Sequence, residues 1–264
     1  MTELLTVKNV FITYGSFRAL NDASFSVGQD EFVAIVGPNG AGKTTLVNAV
    51  TGLLTPASGE VRFRGRSIAG AGPVELSRRG MARTFQLVQV FPTLTVRETL
   101  SIAIASRRSS LSGVLRRVCA DKAIRGECAF IAGLFGLTSR LETHAAALSQ
   151  GDKKLLDIAS AFSLKPELIL LDEPTSGVST SDKHTLMNVL LEAAQTAGIR
   201  SIVLVEHDME LVSRYSKRII AMQEGQAIAD MPTPAFFVDS SLVTAVAGRQ
   251  PVIATGAAAH ALNH

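Results

Sequence analysis

The 264-residue sequence predicts an α/β protein: a parallel sheet with crossover helices, interrupted by an inserted helical block. Three observations lead there. After Pro166, strand-like and helix-like segments alternate, as strand 167–171, helix 182–196, strand 201–205, helix 208–216 and strand 218–222. Upstream, a Gly-rich turn at 37–42 joins an apolar strand, Glu31–Val36, to a helix that runs to about Leu53. Between about 90 and 165 the periodicity is helical, with little β character.

Taken in order, residues 4–36 alternate apolar and polar and read as strands, with Leu5, Val7, Phe25 and Val27 on the alternating apolar positions. Turns fall at Tyr14-Gly15-Ser16 and Gly28-Gln29-Asp30. Thr55–Gly59 breaks the chain after the first helix, and Val61–Arg64 reads as a further strand. The runs Ile169–Leu171 and Ile202–Val205 are short, apolar and bounded by charges, the pattern of strands covered on both faces. The helical block carries a basic segment, Arg107, Arg108, Arg116, Arg117, Lys122 and Arg125, whose plain reading is a solvated helix face. The Ala-rich stretch 251–264 has no Asp, Glu, Lys or Arg and no amphipathic pattern, and it is expected to be poorly ordered.

Composition closes off several classes. With 47% hydrophobic and 19% charged residues the chain has enough apolar surface to fold. Its mean hydropathy of +0.27 prompts a search for membrane spans, but no run approaches the roughly 20 apolar residues a spanning helix needs. The first residues lack the charged-then-apolar layout of a secretion signal, so a cytoplasmic location is expected. Lys and Arg number 26 against 23 Asp and Glu, a balance too even to argue for nucleic acid, which is not expected as a partner. Cys119 and Cys128 supply neither a disulfide framework nor a four-ligand zinc site and are expected to be reduced thiols.

The strongest local signal is Gly37-Pro38-Asn39-Gly40-Ala41-Gly42-Lys43-Thr44, which matches G-x4-G-K-[ST] between a predicted strand and a predicted helix. Glycines let the backbone wrap an anion with its N–H groups pointing inward, and the following helix turns its positive end to the phosphates. Lys43 suits the β and γ phosphates, and the Thr44 hydroxyl suits Mg²⁺. A second element, Glu167–Glu173, is an apolar strand ending in Asp172 and Glu173. Ligands of open α/β sheets sit beyond the carboxyl ends of strands, so Asp172 is expected to face the metal, directly or through water, and Glu173 to accept a proton from an attacking water.

A third run, Leu148-Ser149-Gln150-Gly151-Asp152 ahead of an amphipathic helix, resembles the L-S-G-G-Q signature of the ATP-binding cassette (ABC) ATPases. Ser149 and Gly151 match, Gln150 replaces a glycine and Asp152 a glutamine. The resemblance covers about residues 4–248. It implies a P-loop NTPase parallel-sheet core with an N-terminal antiparallel β subdomain and an inserted α-helical subdomain at about 90–165, within one domain spanning 1–250. It also implies ATP and Mg²⁺ as cofactors and a set of sites. ATP contacts fall to Tyr14 (stacking on adenine), residues 37–45 including Thr45, Gln86, and Ser149 and Gly151 acting on the γ-phosphate held by another subunit. Metal contacts fall to Thr44, Gln86 and Asp172. Catalytic roles fall to Lys43, Glu173 and His207, the last resembling the switch histidine. One departure stands out: Ser179 occupies the end of the loop after Glu173, where the family usually has aspartate, which puts the dimer contact of that loop in question.

Finer wording, in Arg83–Leu87, Leu94–Thr99 and Glu206–Val212, resembles the ATPase subunits of branched-chain amino-acid importers, with urea and short-amide importers and the lipopolysaccharide-export ATPase close by. The resemblance therefore implies a second ATPase subunit, a membrane permease and, indirectly, a solute-binding protein as partners. It places the chain at the inner face of the plasma membrane through its permease. An exporter subunit and a soluble non-transport ABC protein are the alternatives. A permease or lipid head groups are the other reading of the Arg107–Arg125 segment.

Overall fold

The alternating N-terminal segment folds as β1 (Glu3–Tyr14) and β2 (Phe17–Gly28), an antiparallel pair joined at Gly15-Ser16. The computed structural model describes residues 3–84, 90–108 and 115–247, so Gln86 and the stretch 251–264 lie outside the described residues. The apolar strand β3 (Phe32–Val36) leads through the Gly-rich turn into α1 (Lys43–Val50). This helix stops short of the expected Leu53, because Gly52 takes φ +72° just past its last turn. β4 (Ser58–Phe63) starts three residues earlier than expected and pairs with β1, and the short β5 (Arg66–Ser67) pairs with β4. The first sheet therefore runs β2-β1-β4-β5, all antiparallel.

Two elements without a clear sequence signal come next. α2 (Pro73–Arg79) begins with proline at its first position and ends at Gly80, and β6 (Met81–Thr84) follows. The helical block then supplies α3 (Val96–Arg107), α4 (Leu115–Ala120), α5 (Lys122–Leu134) and α6 (Gln150–Ser163). Their starts are locally encoded. Thr95 and Glu98 form a reciprocal capping box, Asp121 accepts from the N–H groups of Ala123 and Ile124, and the Ser149 hydroxyl accepts from Asp152.

The α/β alternation then resumes with β7 (Leu168–Asp172), α7 (Thr180–Ala197), β8 (Ser201–Val205), α8 (Met209–Tyr215) and β9 (Arg218–Gln223). β10 (Gln226–Pro232), α9 (Thr233–Val238) and α10 (Ser240–Ala247) complete the described chain. The second sheet has the order β10-β9-β3-β8-β7-β6, parallel throughout except for β10. The fold class expected from the sequence is the one observed.

Strand alternation divides the apolar runs between two layers. Leu168 and Leu170 of β7 and Val203 and Val205 of β8 pack with α1 and the antiparallel sheet. Ile169 and Leu171, with Ile202 and Leu204, face the other way into a core shared with α3, α5, α6 and α7. Each strand is buried on both faces, which explains why its sequence is continuously apolar. Ala34 and Val36 of β3 pack instead with Phe236, Val243 and Val246 of the C-terminal helices. Cys128 is buried in the helical core and Cys119 is partly exposed, both as free thiols. Among the described residues no helix is long and apolar enough to cross a membrane.

Candidate functional site

Register brings the predicted site residues to one edge of the parallel sheet. β3 lies beside β8 with Ile35 opposite Val205, and β8 lies beside β7 with Val205 opposite Asp172. The turn after β3, the Glu206-His207 pair after β8 and the Asp172-Glu173 pair at the end of β7 therefore emerge side by side. β6 is the next strand, and Gln86 follows it outside the described residues.

The turn itself is tightly specified. A Cβ on Gly37 would lie 2.4 Å from the Met222 carbonyl oxygen, and Gly42, the residue before α1, holds φ +96° with the Ala19 carbonyl 2.5 Å from where its Cβ would be. With those approaches made, Asn39, Gly40, Ala41, Gly42, Lys43, Thr44 and Thr45 line a cleft of about 290 Å³ together with Ala19, Phe17 and Glu173. Pro38 belongs to the same turn and hands its carbonyl to Lys43: the ammonium donates to Gly37 O at 2.6 Å and Pro38 O at 3.1 Å. Burial pushes the Lys43 ammonium below its ordinary value, against the opposing fields of Glu173 and Asp172. A lysine with few water molecules to lose is a strong partner for an incoming phosphate.

The acidic side is held by groups that sequence reasoning passed over. Glu206 is fully buried. It accepts from the Thr175 hydroxyl at 2.6 Å and from the His207 backbone N–H at 3.2 Å, so it ties the loop after Glu173 to the residue after β8. His207 Nδ1 stands 4.0 Å from a Glu173 oxygen and 3.9 Å from Glu206, too far for hydrogen bonds, and its side chain remains over half exposed. Glu173 adopts φ +46°, a left-handed conformation that costs a non-glycine residue about 1–2 kcal/mol. Lys154, buried on α6, sits in the fields of Asp157, Glu206, Asp172 and Glu173, and desolvation lowers its pKa against them. Arg83 of β6 pairs with Asp172 at 2.7 Å, with both side chains under a tenth exposed. Several of these partnerships, Arg83 with Asp172 and Glu206 with Thr175 among them, cross between elements. Only the charged character of Arg83, Lys154 and Glu206 next to apolar runs signalled them.

The remaining predicted residues lie apart from this cluster. Ser149 and Gly151 are exposed at the start of α6 and do not line the cleft. Asp152, which departs from the signature pattern, pairs with Arg140 at 3.3 Å. Ser179 donates to Asp182 at 2.6 Å in the first turn of α7. Tyr14 is half exposed at the hairpin end and does not line the cleft, while its cross-strand partner Phe17, 60% exposed, does. Opposite residues of an antiparallel pair share a face, so Tyr14 lies on the same face of the hairpin as Phe17.

A sequence profile described as "ABC transporter" matches residues 20–176. The chain belongs to the ABC transporter family. It is an ATP-binding ATPase of that family. A high-affinity branched-chain amino acid transport ATP-binding protein, LivG, of Salmonella typhimurium is 32% identical over 233 residues, 86% of this chain and 91% of that one. A probable branched-chain amino acid transport ATP-binding protein of Methanocaldococcus jannaschii is 35% identical over 231 residues, 86% and 89% of the two chains. An ATP-binding cassette of an ABC transporter, solved in its ADP conformation, superposes with a TM-score of 0.78 at 30% identity, covering 94% of this chain and all of that one.

The donor set of this ABC protein also suits a magnesium ion. The Thr44 hydroxyl and the Asp172 carboxylate are hard oxygen donors. Among the described residues no group of three or more His, Cys, Asp or Glu forms a dedicated cage. One hydroxyl and one carboxylate fit an ion that completes its shell with phosphate oxygens and water.

Two residues of the basic segment, Arg107 and Arg108, are paired within the fold. Glu127 on α5 receives Arg107, Arg108 and Lys165 at 2.5, 2.8 and 2.9 Å. Burial alone raises the Glu127 carboxyl, but the Lys165 hydrogen bond, the Arg107 and Lys165 charges and the Arg108 bond outweigh it and hold the group below the usual glutamate range. The side chains of Arg116 and Arg117 lie outside the description.

Proposed function

We propose that this chain is the ATP-hydrolysing subunit that powers solute import through a partner permease, with branched-chain amino acids or a related small solute as cargo. The observation that carries the reading is the split of the site. Lys43, Glu173 and His207 meet at one sheet edge, while Ser149 stands exposed elsewhere at the head of a helix. The first turn of α6 holds Asp152, but that carboxylate is drawn to Arg140 at 3.3 Å, and the exposed Ser149 end remains open to the nucleotide of a second copy. Two copies, or this chain and a similar one, then close around two ATP molecules.

In this reading the base lies against Phe17, the ring that lines the cleft, with Tyr14 on the same face of the hairpin. The amides of residues 39–45 and the Lys43 ammonium hold the phosphates. Thr44 and Asp172, with Gln86 as the resemblance implies, would hold Mg²⁺, which would supply positive charge to neutralise the phosphates. Glu173 orients the attacking water and takes its proton, His207 holds the γ-phosphate end, and Ser149 and Gly151 of the second subunit seal the far side. Loss of the γ-phosphate removes the contacts that favour the closed pair, so the subunits separate.

A second cleft supports a permease partner. It has a volume of about 370 Å³ and lies between α2 and the helical block, lined by Val74, Phe91, Ile102 and Leu164 with Arg78 and Arg107 at its rim. Val74 and Phe91 are 65% and 64% exposed, an apolar surface that a short helix of a membrane subunit would cover. The cargo follows from the names of the relatives; the arrangement at the membrane follows from the need for such a partner.

The test uses Glu173→Gln. It is expected to bind ATP with parent affinity, to lose at least about 100-fold in turnover, and to pair in the presence of ATP when followed by size-exclusion chromatography with light scattering. The double variant with Ser149→Arg is expected to stay monomeric. ATP-driven pairing of the double variant would remove the two-subunit site. In vesicles carrying the permease, ATP-dependent accumulation of labelled leucine supports import, and outward movement alone would assign the chain to export.

A further inference from the structure

Arg83 pairs with Asp172 beside the phosphate cleft, yet the mechanism above gives it no task. It projects from β6, the strand that leads towards Gln86. One guanidinium nitrogen donates to Asp172 Oδ2 at 2.7 Å. The second terminal nitrogen donates to Asn48 Oδ1 at 2.6 Å and reaches Thr51 Oγ1 at 3.4 Å. Asn48 lies in the last turn of α1 and Thr51 just beyond it, and α1 begins with Lys43 and Thr44. The neighbouring Thr84 hydroxyl also accepts from the Asp172 backbone N–H at 3.4 Å. One planar cation thus joins the carboxylate of β7 to the far end of the helix whose near end carries the phosphate turn.

We propose that Arg83 is a positioning residue for the metal: its guanidinium fixes the direction of the Asp172 carboxylate and registers it against α1, and therefore against Thr44. This rests on the assignment of Asp172 and Thr44 to Mg²⁺. Strand pairing alone does not need the contact, because β6 and β7 are already joined in register from Met81–Leu168 to Thr84–Leu171. The planar fork matters because it serves two acceptors at once at a fixed angle, which a lysine ammonium on a flexible stem does not. Groups that orient a metal-binding carboxylate without touching the metal typically change metal affinity about 10–100-fold when lost.

The experiment keeps the charge and removes the geometry. Arg83→Lys and, separately, Asn48→Ala are made in the full chain carrying Glu173→Gln, and Asp172→Asn serves as the reference. ATP binding is measured by calorimetry in EDTA, and Mn²⁺ binding to the ATP complex by paramagnetic resonance. Arg83→Lys is expected to leave metal-free ATP affinity at the parent value and to weaken Mn²⁺ about tenfold. Asn48→Ala is expected to show part of that loss, and Arg83→Lys with Asp172→Asn no more than Asp172→Asn alone. Parent-like or tighter Mn²⁺ binding by Arg83→Lys, or losses that multiply in the double variant, would overturn the proposal. If Arg83→Lys does not fold, Asn48→Ala decides by the same measure. Should Asp172→Asn itself keep parent Mn²⁺ affinity, the metal assignment falls, and the role of Arg83 with it.

Discussion

Glu127→Gln tests what the pairing of Arg107, Arg108 and Lys165 on one carboxylate contributes. The substitution keeps shape and removes the charge that three cations share. Glu127 is 8% exposed, while Arg107, Arg108 and Lys165 are 27%, 37% and 50% exposed. A charge-assisted hydrogen bond in a mostly buried pair contributes about 1.5–3 kcal/mol, and only the Arg107 contact approaches that setting. The other two cations are more open to solvent and contribute about 0–1 kcal/mol each. The expected loss is therefore about 2–3 kcal/mol, equivalent to a fall in Tm of roughly 5–10 °C for a chain of this size. Thermal unfolding at low salt measures it. In 1 M NaCl the gap between parent and variant is expected to narrow, since the outer cations are screened. The pH dependence has a defined sign. The folded-state value of Glu127 is lowered, so its stabilisation is complete above the ordinary glutamate range and disappears as pH falls through that range and then through the folded value. A variant that melts within about 1 °C of the parent at low salt would show that the three contacts add nothing to stability, and Arg107 and Arg108 would then be plain solvated-face residues.

Three further outcomes test the site. Lys43→Ala is expected to weaken ATP at least about tenfold by calorimetry, because a partly desolvated ammonium in hydrogen-bond reach of the turn is removed. Phe17→Ala is expected to weaken ATP about 2–10-fold, and Tyr14→Ala by less, if the ring that lines the cleft carries most of the base stacking. Equal losses would place the base across both rings. Gly37→Ala is expected to destabilise the fold by about 1–3 kcal/mol in denaturant unfolding, since its Cβ has to displace a backbone carbonyl of β9. An unchanged midpoint would mean that the turn relaxes freely.

The sheet was legible because burial on both faces writes a continuous apolar run, as in Leu168–Leu171 and Ile202–Val205. The phosphate turn was legible because its glycines are demanded locally by backbone approach. β6 was not. Met81-Ala-Arg-Thr84 has neither alternation nor a long apolar run, and pairing with β7 makes it a strand. Nor did β10 announce itself, although Ala227, Ala229 and Met231 alternate with more exposed neighbours along it. In the site, residues tied to a local motif were readable, whereas Arg83 meets Asp172 and Glu206 meets Thr175 across 89 and 31 residues of sequence, and the buried Lys154 lies in the fields of Asp172, Glu173 and Glu206 on other elements. Phe17 was hidden for a related reason: its relevance comes from sitting opposite Tyr14 across a hairpin.

Glu206 shows how such a distant partner sustains a local cost. Glu173 holds a left-handed backbone that is unfavourable by about 1–2 kcal/mol, so something must oppose its relaxation. Its N–H donates to Val205 O at 2.9 Å, and its carbonyl accepts from Ser176 at 3.0 Å, which pins both sides of the residue. Beyond them, the buried Glu206 carboxylate gathers the Thr175 hydroxyl and the His207 N–H, closing a ring through the ends of β7 and β8. A carboxylate with no water around it is costly unless its acceptor sites are filled, so Glu206 favours the one loop geometry that fills them. That same geometry turns Glu173 toward the cleft. The left-handed backbone of Glu173 and the burial of Glu206 therefore belong to one hydrogen-bonded arrangement at the ends of β7 and β8.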